Sequence, residues 1–115
     1  MLFRSIVNEQ AAFLLDVAKL IQWATQEGFT VTAGELYRSL EQQQIYFKTG
    51  RSKTLNSQHM KRLAIDLNFF VNGKLTWSKD ILAPVGAYWE SLNPKNRWGG
   101  NFKSLCDVPH YERNV

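Results

Sequence analysis

The sequence lacks the features of a disulfide-stabilised, membrane-spanning or signal-peptide-bearing protein. Its 115 residues include a single cysteine, Cys106, which excludes an internal disulfide framework. No apolar run approaches the ~20 residues of a membrane-spanning helix. Residues 1–4 lack the charged-then-apolar build of a signal peptide. The sequence also lacks repeats, low-complexity stretches and linkers. We therefore expect one domain over residues 1–115, made in the cytoplasm without a signal peptide and without membrane insertion.

What the chain does have is an ordinary core-forming composition with a moderate excess of positive charge. Apolar residues make up 44% of it and charged residues 21%, as in soluble globular proteins. The net charge of +4 favours anionic partners, which include nucleic acid, acidic lipid and bacterial wall polymers. Because the lysines and arginines are scattered and form no stripe, we expect no nucleic-acid binding.

Three segments have the apolar spacing and the end signals of helices. In the first, apolar side chains recur every three or four residues, as on a helix with one buried face. Gly28 supplies its C-terminal stop, and serines stand at the N-cap positions of the other two. The predicted helices are residues 5–27, 40–48 and 79–92, the last containing Pro84. The predicted core face of the first comprises Ile6, Ala11 or Phe13, Leu14, Val17, Leu20, Ile21 and Ala24.

Alternating apolar residues mark the strands. In the most regular run, residues 63–71, five apolar residues fall on every second position and share one face. The Asn72-Gly73 pair that follows predicts a tight hairpin. With the helices, these strands predict an α+β fold, a small antiparallel sheet with helices packed on one face. The predicted strands are residues 29–37, 63–71, 75–77 and 108–112, and residues 93–101 are predicted to be a loop in which Trp98 lines a cleft.

The two histidines lie in segments that also carry carboxylates. His59 precedes the long strand, and Asp66 lies on the face of that strand that points away from the core. With His110 they would supply two imidazoles and one carboxylate, which leaves a fourth tetrahedral position open, as in a catalytic zinc site on the sheet. Peptide hydrolysis there also needs a carboxylate that carries a proton from water to the leaving amine. Asp107 and Glu112 are both candidates for that carboxylate.

A fixed cation would complete such a site by steadying developing negative charge. Arg38, at the end of a predicted strand, is the best placed arginine. Four motifs follow one another along the chain: Ser57-x-His59, Ala64-x-Asp66, Trp98-Gly99-Gly100 and Asp107-x-x-His110, with Tyr37-Arg38-Ser39, glutamines 42 to 44, Tyr46 and Gly50 upstream. This combined pattern resembles the zinc peptidases of peptidoglycan: D-Ala-D-Ala carboxypeptidases and dipeptidases, and phage L-alanyl-D-glutamate endolysins, which share a fold with the hedgehog signalling domain.

Carried over residue by residue, the resemblance implies that His59, Asp66 and His110 bind Zn²⁺. It also implies that Asp107 is the general base and Arg38 an electrostatic clamp. The base is an aspartate in the phage endopeptidases, so the expected reaction is hydrolysis of the L-alanyl-D-glutamate bond. A D-Ala-D-Ala carboxypeptidase and a non-catalytic binding module of the same fold are the alternatives.

The resemblance also implies the partners. We expect a monomer that binds the peptidoglycan stem peptide and, through its charge, anionic wall polymers, and that reaches the wall if it is released as a phage-type lysin. Two side chains have a second interpretation: Glu112 could orient the His110 imidazole, and Ser57 could either hydrogen-bond around His59 or only turn the chain. Cys106, four residues before His110, could ligate a soft metal, but a lone cysteine is usually a small core residue, which is what we expect here. Where the family commonly has a glycine in its first motif, this chain has Arg62 or a neighbour.

Overall fold

A computed structural model describes residues 5–52, 54 and 57–115. It confirms the three predicted helices and their serine N-caps. In each helix the serine Oγ accepts a hydrogen bond from the backbone N–H three residues later, at 3.1 to 3.3 Å, which satisfies a donor that the first turn leaves free. Gly28 ends the first helix with a φ of 97°, a conformation that favours glycine. The helices are α1 Ile6–Gln26, α2 Leu40–Lys48 and α3 Lys79–Leu92.

The core face predicted for α1 is partly wrong. Ile6, Leu14 and Ile21 are exposed, whereas two acidic side chains, Glu9 and Asp16, are buried. Burial of these carboxylates is tolerated because Arg113, itself 1% exposed, forms ion pairs with both of them. A prediction from periodicity assigns only apolar residues to the buried face of a helix. It therefore missed that the buried face of α1 also holds two carboxylates, which pair with an arginine from a strand far along the chain.

In the described residues, five strands form one antiparallel sheet. The strands are β1 Thr30–Ala33, β2 Ala64–Val71, β3 Lys74–Thr76, β4 Asn96–Trp98 and β5 His110–Arg113. The order in the sheet is β1-β2-β5-β4, with β3 paired to β2 through the predicted hairpin at Asn72 and Gly73. The first predicted strand is shorter than expected. The predicted loop at residues 93–101 was wrong, since it contains β4 and a 3₁₀ turn, Gly99–Asn101.

The core lies between one face of the sheet and helices α1 and α3, so the α+β prediction is confirmed. Trp98 belongs to this core at 1% exposure, and its indole N–H donates to the carbonyl of Val108 at 2.8 Å. A Cβ on Gly86 of α3 would approach the Trp98 ring to 2.2 Å, so only glycine fits there. The prediction that Trp98 lines a cleft was therefore wrong. The buried core side chains are Phe13, Val17, Leu20, Ala24, Leu63, Ile65, Leu67, Phe69, Leu82, Val85, Trp89, Trp98 and Tyr111.

Within the described part of the chain, no helix combines the length and the apolar character needed to cross a membrane.

Candidate metal centre

His59 is held in the 3₁₀ turn Gln58–Lys61, immediately before β2. Ser57 caps this turn, and its hydroxyl accepts the His59 backbone N–H at 3.2 Å. The His59 ring is 1% exposed, and its Nδ1 lies 3.0 Å from the backbone carbonyl of Leu36. A carbonyl only accepts, so Nδ1 carries the proton and Nε2 presents a lone pair. Ser57 thus does both things expected of it: it hydrogen-bonds to the backbone of His59 and it caps the turn that holds this residue.

Arg62 ends this turn in a left-handed conformation, with φ 57° and ψ 38°. This is the segment where the family commonly has a glycine, the residue that adopts such a conformation without steric cost. The Arg62 guanidinium lies 4.3 Å from the centre of the Tyr37 ring, a cation–π contact. At the segment where the resemblance leads us to expect a glycine, the chain thus has an arginine in a left-handed conformation, stacked on an aromatic side chain.

The other two predicted ligands are paired directly across the sheet. Asp66 of β2 stands opposite His110 of β5, and both side chains lie on the face away from the helices. Three atoms converge there: the His59 Nε2, the Asp66 Oδ1 and the His110 Nδ1. The His59 Nε2 lies 3.2 Å from the His110 Nδ1 and 3.4 Å from the Asp66 Oδ1, and the His110 Nδ1 lies 3.6 Å from that oxygen.

The chemistry of this cluster fits a metal cation. The His110 Nε2 lies 2.6 Å from the Glu112 Oε1, so in the neutral ring it donates to that carboxylate and Nδ1 is left with a lone pair. The cluster then brings two imidazole lone pairs and a carboxylate oxygen together without a donor between them. Among the described residues, the buried Asp66 Oδ1 has no hydrogen-bond partner. A cation would compensate the electron-rich atoms in this arrangement, and two nitrogens with one oxygen suit zinc.

The pKa values of His110 and Asp66 also indicate that the cluster favours positive charge. Burial alone would lower the pKa of His110, but the neighbouring carboxylates of Asp66 and Glu112 outweigh it and raise the pKa to about 9. Burial alone would raise the pKa of Asp66, but the neighbouring His110 and His59 rings hold it well below its usual range. The carboxylate is therefore ionised at neutral pH and available as a ligand.

Glu112 is committed to two partners. Its Oε1 receives the His110 ring, and its Oε2 accepts from the Nε of Arg97 at 2.9 Å and from the Nη2 of the same guanidinium. Arg97 stands opposite Glu112 across the β4–β5 pair. Although burial raises the pKa of Glu112, the hydrogen bonds from His110 and Arg97 outweigh it and lower the pKa. An orienting contact to His110 is thus observed, and both carboxylate oxygens are occupied.

Asp107 lies beside the cluster and is more open. Its Oδ2 is 3.9 Å from the His110 Nδ1, and its side chain is 44% exposed. Burial against the cleft raises the pKa of Asp107, and the nearby Asp66 carboxylate raises it further, against the pull of His110. Of the two carboxylates proposed as the base, Asp107 is the one with a free oxygen and a pKa moved toward neutrality.

Arg38 is held rigidly at the same cleft. Its Nε donates to the Glu35 carboxylate at 2.5 Å, and its Nη1 donates to the Gln43 side chain at 2.8 Å. Its backbone N–H donates to the carbonyl of His59 at 3.2 Å, which ties this segment to the metal cluster. Arg38 is therefore a fixed cation, although Glu35 shares its charge.

A cleft of about 820 Å³ connects these groups. Cys106 is exposed on its wall, so the prediction that Cys106 is a core residue was wrong. Sequence reasoning missed Arg97 and Glu35, and it named the buried Gln43 only within the run of glutamines 42 to 44. The one sequence signal for Arg97 was its position in a short strand. The loop-rich composition of residues 93–101 concealed that strand. The cleft is lined by Arg38, Tyr46, Arg51, Ser52, Thr54, Ser57, Gln58, His59, Asp66, Arg97, Phe102, Ser104, Leu105, Cys106, Asp107, Pro109, His110, Glu112 and Asn114.

Two known proteins resemble this chain. It is 28% identical over 105 residues to the L-alanyl-D-glutamate peptidase of Listeria phage A118, an alignment that covers 84% of this chain and 34% of the phage protein. The chain thus spans about a third of that relative. Its fold matches the crystal structure of the Serratia marcescens L-Ala D-Glu endopeptidase ChiX with a TM-score of 0.69, covering 97% of this chain and 90% of that one at 23% identity.

A family model extends over most of the segment that builds the centre. The model described as D-alanyl-D-alanine carboxypeptidase matches residues 50–113, more than half of the chain. This match contains His59, Asp66, Asp107 and His110, while Arg38 lies before it. The resemblance expected from the motifs is confirmed, and the chain belongs to the D-alanyl-D-alanine carboxypeptidase family of peptidases.

Proposed function

We propose that this chain is a zinc-dependent endopeptidase that cleaves the L-alanyl-D-glutamate bond of the peptidoglycan stem peptide. One observation carries the proposal: two imidazole nitrogens and a buried, unpartnered carboxylate oxygen converge at an open cleft. The names of the Listeria phage relative and of the Serratia enzyme with the same fold support this choice of bond. The family match supports a peptidase in general.

The ligands in this proposal are the His59 Nε2, the Asp66 Oδ1 and the His110 Nδ1. When bound, zinc supplies Lewis-acid polarisation of a carbonyl and lowers the pKa of water toward ~7. The surrounding chain fixes the ligands in orientation. The Leu36 carbonyl sets the tautomer of His59, Glu112 sets that of His110, and the β2–β5 pairing places Asp66 opposite His110.

Asp107 is the proposed proton carrier. It accepts a proton from the attacking water and delivers it to the amine that leaves when the peptide bond breaks. Its position beside His110, its partial exposure to the cleft and its raised pKa support this role. Glu112 is a poorer candidate because the His110 ring and the Arg97 guanidinium occupy its two oxygens.

Arg38 is the proposed electrostatic clamp for charge that develops on the scissile carbonyl. A preorganised donor stabilises a transition state without rearranging, and the contacts with Glu35, Gln43 and the Ser57 hydroxyl hold this guanidinium in place. Because Glu35 neutralises part of its charge, we expect Arg38 to act by directed hydrogen bonding more than by net charge.

The proposal is tested by digesting purified peptidoglycan with the zinc-loaded protein and analysing the fragments by mass spectrometry. The expected products end in L-alanine or begin with the free amine of D-glutamate. Asp107→Asn is the matched control, since it retains the ligands and should yield at least about 100-fold less of these fragments at the same exposure. Release of free D-alanine with an intact alanyl-glutamate bond would instead establish a carboxypeptidase, the activity after which the family is described. No cleavage by zinc-loaded protein would leave a binding module.

A further inference from the structure

Three arginines line the cleft, and two of them are already neutralised. Arg38 is paired with Glu35, and Arg97 with Glu112, both at 2.5 Å. The third is Arg51, which follows helix α2. In the part of the chain that the structure describes, no carboxylate lies within ion-pair distance of Arg51. The cleft therefore contains one guanidinium whose charge is available to a ligand.

The contacts of Arg51 hold it without using its donors. Its guanidinium lies 4.4 Å from the centre of the Tyr46 ring, and its backbone N–H donates to the Tyr46 carbonyl at 2.9 Å. Stacking on an aromatic face restrains the plane of the guanidinium, while the N–H groups at its edge stay free to form paired hydrogen bonds with a carboxylate.

Tyr46 also explains why an anion is favoured at this position. The Arg38 guanidinium lies 4.6 Å from the centre of the same ring, so one aromatic side chain contacts two cations. Glu35 compensates the first of these charges, and its carboxylate also lies 3.5 Å from the Tyr46 hydroxyl. The second charge, on Arg51, has no such compensation among the described residues. A ligand carboxylate at Arg51 would complete the same arrangement on the open side of the cleft.

We propose that Arg51, stacked on Tyr46, is an anion-binding subsite that recognises a carboxylate of the substrate beside the scissile bond. The inference rests on the proposed function, because a stem peptide offers such a group. D-Glutamate is linked onward through its γ-carboxyl, so its α-carboxylate is free and stands on the carbon that bears the leaving amine. An enzyme that trims the stem would instead meet the terminal carboxylate of D-alanine.

The test uses two synthetic peptides, L-Ala-γ-D-Glu-L-Lys with the glutamate α-carboxylate free and the same peptide with that group as an amide. We expect the wild-type protein to favour the acid, and Arg51→Gln to lose about 10- to 100-fold in kcat/KM on the acid, the usual range for a charge-assisted hydrogen bond. On the amide the variant should match wild type within about twofold.

Lys48→Gln is the control for loss of a positive charge. Lys48 is exposed at the end of α2 and does not line the cleft, so its rates on both peptides should be unchanged. If Arg51→Gln lowers kcat/KM equally on both peptides, or on neither, the subsite is refuted. A second pair of stem peptides ends in D-Ala-D-Ala with a free or an amidated terminus. This pair shows whether the carboxylate that Arg51 recognises is the α-carboxylate of D-glutamate or the terminal carboxylate of D-alanine. Release of D-alanine that needs both the free terminus and Arg51 supports the subsite but overturns the proposed choice of bond.

A binding titration decides the inference even if wild type cleaves none of these peptides, which would refute the proposed function alone. Calorimetry with γ-D-Glu-L-Lys measures its affinity for the wild-type protein and for Arg51→Gln. We expect at least tenfold weaker binding to the variant and no difference with the α-amide. Equal affinity of the two proteins for the acid would overturn the subsite.

Discussion

The contact between Glu112 and the His110 ring makes a prediction that can be measured on the metal rather than on the reaction. Glu112 is 5% exposed and lies 2.6 Å from the His110 Nε2 through its Oε1. Glu112→Ala removes the only side-chain acceptor that this nitrogen contacts in the described structure. The ring can then rotate or change tautomer, so that its Nδ1 no longer faces His59 and Asp66 with a lone pair.

Two estimates give the expected loss of zinc affinity in Glu112→Ala. Loss of an orienting partner of a metal ligand typically weakens metal binding by about 10- to 100-fold, or ~1.4 to 2.8 kcal/mol. Leaving the buried Nε2–H without an acceptor costs about 1–3 kcal/mol, in the same range. We therefore expect the zinc dissociation constant of Glu112→Ala to rise by about one to two orders of magnitude.

The assay is a competition titration of zinc between the protein and a chromogenic chelator at fixed pH. Glu112→Gln is the matched variant, because its amide oxygen can still accept from His110 and should recover most of the affinity. Arg97→Ala should lose less than Glu112→Ala, since it leaves the acceptor in place. Wild-type zinc affinity in a Glu112→Ala protein with an unchanged circular dichroism spectrum would refute the reasoning.

Three further predictions follow from the same contacts. His59→Ala should abolish metal retention and hydrolysis together, and full metal content measured by atomic absorption would contradict the ligand assignment. Asp107→Asn should retain zinc but lower the turnover of peptidoglycan fragments by about 10²- to 10⁴-fold, and a near-normal rate would exclude Asp107 as the proton carrier. Arg113→Met should lower the free energy of unfolding in urea by about 3–5 kcal/mol, because it removes the cation paired with the buried Asp16 and leaves Glu9 paired with Lys95. A loss below about 1 kcal/mol would show that these carboxylates find other compensation.

Much of the fold could be predicted because its signals are local. A serine cap, a Gly stop or an Asn-Gly turn acts within a few residues, and each such signal placed its element correctly. The convergence of His59, Asp66 and His110 could be predicted because strand alternation put Asp66 on the face away from the core, and the motifs supplied the histidines. The metal-binding roles of His59, Asp66 and His110 and the roles assigned to Asp107 and Arg38 remain predictions, of which the experiments above test those of His59 and Asp107.

What could not be predicted depends on partners far apart in the chain. Arg113 pairs with Asp16 over 97 positions, so nothing near Asp16 indicated that a carboxylate belongs in the core. The strand β4 is three residues long and follows a turn-rich segment, so its pairing with β5 determines it more than its own composition does. The same pairing brings Arg97 to Glu112 and buries Trp98.

The direct opposition of Asp66 and His110 makes the metal centre sensitive to strand register. Successive side chains alternate between faces, so a slip of one residue between β2 and β5 would bring Tyr111 opposite Asp66 and turn one of the two ligands away from His59. Zinc that binds only when Asp66 and His110 share a face would select the correct register over its neighbours. The free energy of metal binding would then stabilise the native register of the sheet over shifted registers during folding. Refolding with and without zinc, followed by hydrogen exchange at β5, would measure how strongly the ion biases that choice.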